Sequence, residues 1–223
     1  MVVAIIIWNS RIAFYNLCAG EAPLTNRELL IATSNQGKLR EIREILKDLP
    51  FMLSSLSDHP AIEAVAETGD TFAENAALKA TGYANMTQRL TLADDSGLEV
   101  EALNGAPGIH SARYLGDGVD YATRNQSLLS RIEDATNRRA RFVCAIAIAD
   151  AEGNLLNVSH GFCQGRIATA PRGSGGFGYD PIFIPDGFEL TFGELSPETK
   201  GQISHRANAL REACEFLHCL TRC

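Results

Sequence analysis

The chain has 223 residues, 45% of them hydrophobic, and a formal net charge of −7. That length and apolar content suffice for one well-formed core and exclude an intrinsically disordered chain. The acidic balance excludes broad binding along a DNA or RNA backbone, which needs a basic face to gain from counterion release, although one local basic cluster can still meet a small anion.

The first apolar run, Val2 to Trp8, is far below the roughly 20 residues that span a bilayer. It lacks a basic leader, and Arg11 interrupts it, so neither secretion nor a membrane span is expected. Residues 1–28 read as an N-terminal extension, expected to be poorly ordered, ahead of a single α/β domain over 29–223. The six cysteines (Cys18, Cys144, Cys163, Cys214, Cys219, Cys223) are scattered, without a CxxC pair or a histidine at zinc-finger spacing. They read as reduced thiols in a cytoplasmic protein. The C-terminal trio fits either helical spacing on a final amphipathic helix or a small metal or redox site.

Leu29 to Ala32 is a short apolar run, followed by Asn35-Gln36-Gly37 and then by Leu39, Ile42, Ile45, Leu46 and Leu49 at helical spacing. The pattern is strand, loop, helix. A helix that follows such a loop turns backbone N–H groups and its positive dipole end toward whatever sits over the loop, which favours phosphate. Thr33, Ser34 and Asn35 add donors, and Lys38 adds charge. The same letters also suit an ordinary connection with Asn-Gly turn chemistry, and they are not a Walker loop, because the upstream glycine and the following Ser or Thr are missing.

Thr71 and Glu74 form a capping-box pattern ahead of an alanine-rich helix that reaches about Gln88. Leu90 to Ala93 reads as a buried strand with Asp94 and Asp95 at its end. Successive strand side chains face opposite ways, so one carboxylate faces a cleft and the other supports the loop. A cation would offset their clustering with Glu67 and Glu74; a solvated acidic turn is the alternative. A helix follows from about Tyr121 to Glu133, and Arg141–Ala149 with Leu155–Ile167 forms a hairpin.

Gly173-Ser174-Gly175-Gly176-Phe177-Gly178 matches the letters of a dinucleotide fingerprint. Its context does not, because Asp180-Pro181 forces extended backbone where that motif needs a helix. These glycines instead let main chain approach a flat ligand, with Phe177 and Tyr179 placed to stack on a base; a flexible surface loop is equally compatible. A short strand is expected over Pro181 to Ile184. Ser204 then caps a final helix to about Thr221, which puts His205 and Arg206 in its first turn. Cations there oppose the helix dipole unless an anion or carbonyl oxygen sits nearby, and Lys200 would reinforce such a pocket.

Taken in order, these segments resemble the inosine triphosphate pyrophosphatase family. The resemblance runs from about Leu30 to Leu217. It is carried by Thr33–Lys38, Glu67-Thr68-Gly69 with Thr71–Ala76, Ala93–Leu98, Gly105–Ile109 with Ser111–Tyr114, Gly175–Pro181 and Ser204-His205-Arg206. It implies an α/β fold, elongated and built on a mixed sheet, with two lobes, a nucleotide cleft between them and a homodimer. It also implies hydrolysis of deaminated purine nucleoside triphosphates (ITP, dITP, XTP) to the monophosphate and pyrophosphate, with Mg²⁺ as cofactor and a small nucleotide, no nucleic acid and no membrane, as partner. By the same resemblance Asp95 is the catalytic acid/base, and Glu67 and Asp95 hold the metal with Asp94 close by. Thr33, Ser34, Asn35, Gln36, Gly37, Lys38, Ser96, Phe177, Gly178, Tyr179, Asp180, Lys200, His205 and Arg206 contact substrate. This chain departs from the family pattern at Ala66, where many relatives carry a second acid before Glu67, and at His110, where an aromatic is common. A pyrophosphatase for other modified nucleotides and a non-catalytic nucleotide-sensing module are the alternatives.

Overall fold

The computed structural model describes residues 27–222; the expected N-terminal extension and Cys223 lie outside the described residues, apart from the last two residues of that extension. Five strands and the helices between them come in the order β1 (Arg27–Ile31), α1 (Gln36–Leu46), β2 (Phe51–Ser55), α2 (Phe72–Thr87), β3 (Leu90–Val100), α3 (Tyr121–Arg131), β4 (Arg139–Ala149) and β5 (Leu155–Ile167). A short β6 (Phe183–Pro185), α4 (Pro197–Ile203) and α5 (His205–Thr221) complete the chain. The six strands form one mixed sheet in the order β2-β1-β3-β4-β5-β6. β1 pairs in parallel with β2 and β3, and the remaining pairs are antiparallel.

The period-two alternation of β1 sends Leu29 and Ile31 to one face and Leu30 and Ala32 to the other. The first face packs with Leu39, Ile42 and Leu46 of α1 and with Leu210 and Leu217 of α5. The second meets Ala76, Ala80 and Ala84 of α2, small residues that let this helix lie close to the sheet. Thr71 caps α2 through Glu74 N, and Glu74 Oε2 accepts from the Thr71 and Asp70 amides, so the sequence pattern correctly marked the helix start.

β3, β4 and β5 are long, and they carry the sheet beyond its parallel half. There Leu98, Val100 and Phe142 join Leu128 and Leu129 of α3, Phe183 and Phe192 in a further core cluster. Leu92 and Ala93 belong to the first half and Leu98 to the second. Asp94 to Gly97 therefore lie where the core clusters of the two halves meet.

Several boundaries differ from expectation. The acidic pair sits in the middle of the eleven-residue β3 rather than at a strand end, because β4 pairs with it without interruption from Thr91 to Val100. Asp180–Ile182 is a 3₁₀ turn and the strand begins only at Phe183, since Pro181 has no N–H for a ladder. Two elements carried no sequence signal strong enough to be expected: the edge strand β2 and the short helix α4. The cysteines described are free, and the described residues hold no group of three or more His, Cys, Asp or Glu side chains placed for a metal. No described helix is long and apolar enough to cross a membrane.

Candidate active site

The adjacent Asp94 and Asp95 of β3 face opposite ways and organise separate networks. Asp94 Oδ2 lies 3.1 Å from Lys38 Nζ and accepts from Arg206 Nη2 at 3.2 Å and Nε at 3.3 Å. Ser96 Oγ donates to the same oxygen at 3.2 Å and accepts from Arg206 Nη2 at 2.8 Å. Burial works to raise the Asp94 carboxyl, but Lys38, Arg206 and Lys79 outweigh it and hold that carboxyl far below the usual range.

The chain of charge continues outward. Arg206 Nη1 bonds Glu41 Oε2, Glu41 Oε1 lies 2.7 Å from Lys200 Nζ, and Lys200 donates to Asp180 Oδ2 at 2.5 Å. Asp180 Oδ2 also accepts from the Phe177 amide at 2.7 Å. Three cations thus alternate with three carboxylates along a line that is buried except at Lys38 and Glu41, and this explains how Arg206 can be fully buried at the unfavourable end of a helix.

Asp95, on the other face, accepts at Oδ1 from Lys79 Nζ at 2.9 Å. The same ammonium donates to Glu67 Oε1 at 2.7 Å, and Arg113 Nη1 reaches Glu67 Oε2 at 3.5 Å. Burial raises the Asp95 carboxyl above its ordinary value although Lys79 and Lys38 pull the other way. Asp95 Oδ2 and Asp94 Oδ1 are buried without a hydrogen-bond partner among the described residues, so each carboxylate keeps one oxygen for something else.

The loop over β1 is tightly made. Asn35 caps α1, its Oδ1 accepting from the Gly37 and Lys38 amides at 2.9 and 3.1 Å, and Thr33 Oγ1 accepts from Asn35 N. Part of the expected row of free amides is therefore occupied by the cap, which leaves the Lys38 ammonium and the exposed Ser34 and Gln36 as the loop's outward groups. A Cβ on Gly37 would lie 2.6 Å from the Phe177 ring. Glycine at this position lets the aromatic ring rest directly on the phosphate-loop backbone, with Lys200 Nζ 4.6 Å and Arg206 Cζ 5.7 Å from its centroid.

At the far end, a Cβ on Gly161 would meet the His205 carbonyl oxygen at 2.0 Å. β5 thus accepts the start of α5 against its backbone, and this seats Ser204, His205 and Arg206. The His205 imidazole stacks on Phe142 at 4.5 Å and 10°, and burial, helped by Arg206 and Lys200, pushes its pKa well below the usual value. It is a neutral core group, not a second cation of the pocket. Tyr179 is also buried, its hydroxyl on the Ser111 carbonyl at 3.0 Å; its ring supports the glycine loop from beneath, leaving Phe177 as the aromatic at the charged groups. Glu74 is spent on capping α2 and does not join the carboxylate cluster.

Lys79 and Glu41 escaped the sequence reading, and Arg113 entered it only within the Ser111–Tyr114 segment, without a role. Lys79 had a signal, because it falls on the inward row of α2 with Asn75, Ala76, Ala80 and Tyr83, where a lone lysine must find buried anions. Glu41 had none, since three residues after Lys38 it reads as a surface helix pair. A depression of about 500 Å³ runs along Thr68, Gly69, Asp70, Glu74 and Leu78, next in sequence to Glu67, and another of about 240 Å³ lies at Arg138 and Glu189. The buried charges, not cavity depth, locate the site.

Buried carboxylates and lysines gathered beyond a parallel strand, over a capped helix and beside a glycine-rich aromatic loop, define an α/β protein built for an anionic ligand with a flat ring. The family follows from comparison: a model described as the Ham1 family matches residues 29–216, and the chain belongs to that family. It is 46% identical over 193 residues to the dITP/XTP pyrophosphatase of Desulforamulus reducens, covering 86% of this chain and 96% of that one. The dITP/XTP pyrophosphatase of Halalkalibacterium halodurans is 45% identical, over 86% of this chain and 99% of its own. Among solved structures, a HAM1 protein from Coxiella burnetii superposes with a TM-score of 0.79 at 41% identity, covering 86% of this chain and 98% of that chain.

Proposed function

We propose that this chain is a hydrolase that converts deaminated purine nucleoside triphosphates, ITP, dITP and XTP, to the monophosphate and pyrophosphate. The observation that carries the reading is the division of labour on β3 in a chain so similar to dITP/XTP pyrophosphatases. Asp95 offers a buried carboxylate with one uncommitted oxygen, while Asp94 holds Lys38 and Arg206.

In this mechanism a water oxygen attacks the α-phosphorus, the bond to the β-phosphate oxygen breaks, and pyrophosphate leaves. Asp95, its basicity raised by burial, orients the water and takes its proton. Lys79 fixes the Asp95 carboxylate from the opposite oxygen and aligns it with Glu67. Lys38 moves from Asp94 to the departing phosphates, and its charge is balanced there by the anion that forms. Phe177 lies against the base, and Lys200 and Arg206, which can only donate, reward the 6-oxo group of hypoxanthine or xanthine. A 6-amino group would leave buried donors unpaired, at about 1–3 kcal/mol each.

Mg²⁺ is part of the proposal. Glu67 and Asp95 fit it: the cation characteristically takes one or two carboxylates and completes its shell with water and substrate phosphates, and Asp95 Oδ2 is an orphaned buried oxygen. When bound, it supplies Lewis-acid stabilisation of phosphate charge. A homodimer, proposed from the resemblance, is checked by light scattering.

The test is a nucleotide panel with Mg²⁺, scored for each product. ITP and XTP should turn over far faster than ATP, releasing pyrophosphate. Equal turnover of ATP and ITP would overturn the specificity, and orthophosphate as first product would overturn the cleavage position.

A further inference from the structure

We propose that Asn125 of α3 is a positioning residue for base recognition, holding the Phe177–Gly178 segment in place across the cleft. The inference rests on the function proposed above and deepens it. Asn125 is 3% exposed and lies on the inward side of α3 with Arg124, Leu128 and Leu129. Its Nδ2 donates to the Gly178 carbonyl at 3.1 Å. Its Oδ1 is buried without a hydrogen-bond partner among the described residues.

That arrangement is costly for a residue serving packing alone. Leu128, Leu129 and Tyr179 join a core cluster with Tyr121 packed against it, and leucine at 125 would keep the branched shape without burying an unpaired side-chain oxygen. The amide cannot gain by turning over, since that would set Oδ1 against the Gly178 oxygen. What the polar side chain provides is the tie to Gly178.

The tie matters because of the backbone it holds. Gly176 and Gly178, on either side of Phe177, have φ of +70° and +67°, conformations in which glycine moves freely and other residues do not. Gly175 N bonds Gly193 O at 2.9 Å and Phe177 N bonds Asp180 Oδ2 at 2.7 Å; both bonds stay within or near the loop. Asn125 links the segment to a helix of the second core cluster, while the Phe177 ring rests on Gly37 of the first. The bond thereby sets how far the stacking ring stands from the phosphate loop, and so the space in which the base is bound.

The test uses the full chain carrying Asn125→Leu, with Asn125→Ala as the second variant if the first does not fold. Asn125→Leu should melt close to the wild-type temperature, because the buried orphan oxygen is gone while the Gly178 carbonyl loses its donor. Its KM for ITP should rise about tenfold with kcat within about twofold, the split expected when ground-state positioning is lost, and its preference for ITP over ATP should shrink. Wild-type KM in a folded variant overturns the proposal, as does a lowered melting temperature with KM unmoved. Titration of ITP in EDTA separates this from failure of the functional reading. If wild type binds ITP in EDTA but fails to hydrolyse it once Mg²⁺ is restored in excess, the pyrophosphatase assignment falls. An about tenfold weaker ITP affinity in the variant still upholds Asn125's role, and equal affinity removes it.

Discussion

Replacing Lys79 with methionine removes the ammonium that joins Asp95 to Glu67 while keeping an unbranched apolar stem in the same space. At 2.9 Å and an effective dielectric near 20, the attraction to Asp95 is about 6 kcal/mol before desolvation. Glu67 is 31% exposed at its side chain, so solvent screening leaves its share at about 1 kcal/mol or less. Desolvating the two buried ions costs several kcal/mol each, so the intact pair is worth little net, but breaking it strands a buried carboxylate at about 3–5 kcal/mol. Asp95 can escape part of that cost by taking a proton, since its carboxyl is already raised by burial and rises further without Lys79. A carboxyl whose folded pKa exceeds its unfolded value binds more protons when folded. The deficit is therefore full above that raised pKa and shrinks as pH falls toward the ordinary aspartate range. Urea unfolding of both proteins between about pH 7.5 and 5 should show a loss of about 2–4 kcal/mol at the upper end, narrowing at the lower, with turnover lost throughout. A deficit below about 1 kcal/mol that is flat with pH would mean that Lys79 makes a solvent-screened pair and does not hold Asp95.

Asp95→Asn should lower turnover of ITP by at least about 100-fold with an unchanged circular dichroism spectrum; retained turnover removes Asp95 from proton transfer. Gly37→Ala puts a methyl 2.6–2.9 Å from the Phe177 ring, and the displaced ring should raise KM for ITP about tenfold. Unchanged KM would show that the ring's seat on the loop is immaterial. His205 is buried neutral, so the unfolded chain binds the extra proton. Stability should be fully present above the ordinary histidine pKa and fall by up to about 1.4 kcal/mol per unit as pH drops below it. His205→Phe should flatten that slope relative to wild type in denaturant titrations, and identical slopes would refute the assignment.

How much was legible depended on distance along the chain. The Thr71–Glu74 capping box, the Asn35 turn and the capped last helix rest on contacts within a few residues, and the hairpin grows outward from a short turn; each appears where the pattern put it. The strand carrying Asp94 and Asp95 was recognised, but its end was misplaced, because its continuation is decided by β4 rather than by local propensity. Tyr179 and His205 looked like ligand-facing groups in sequence; their burial depends on Ser111 and Phe142, which no local pattern links to them.

The sequence by itself determined most of the elements, the glycine and capping residues that shape the loops, and the chemical inventory of lysines, carboxylates and Arg206. Only the tertiary structure decided the pairings. Arg206 meets Asp94 across 112 residues and Glu41 across 165, and Lys79 reaches Asp95 from the neighbouring helix. The reason is physical: hydrophobic periodicity and capping act over one or two turns, whereas a buried ion's partner is chosen by which charges the closed core brings within reach. In this fold the meeting of two core clusters at the middle of β3 makes that choice.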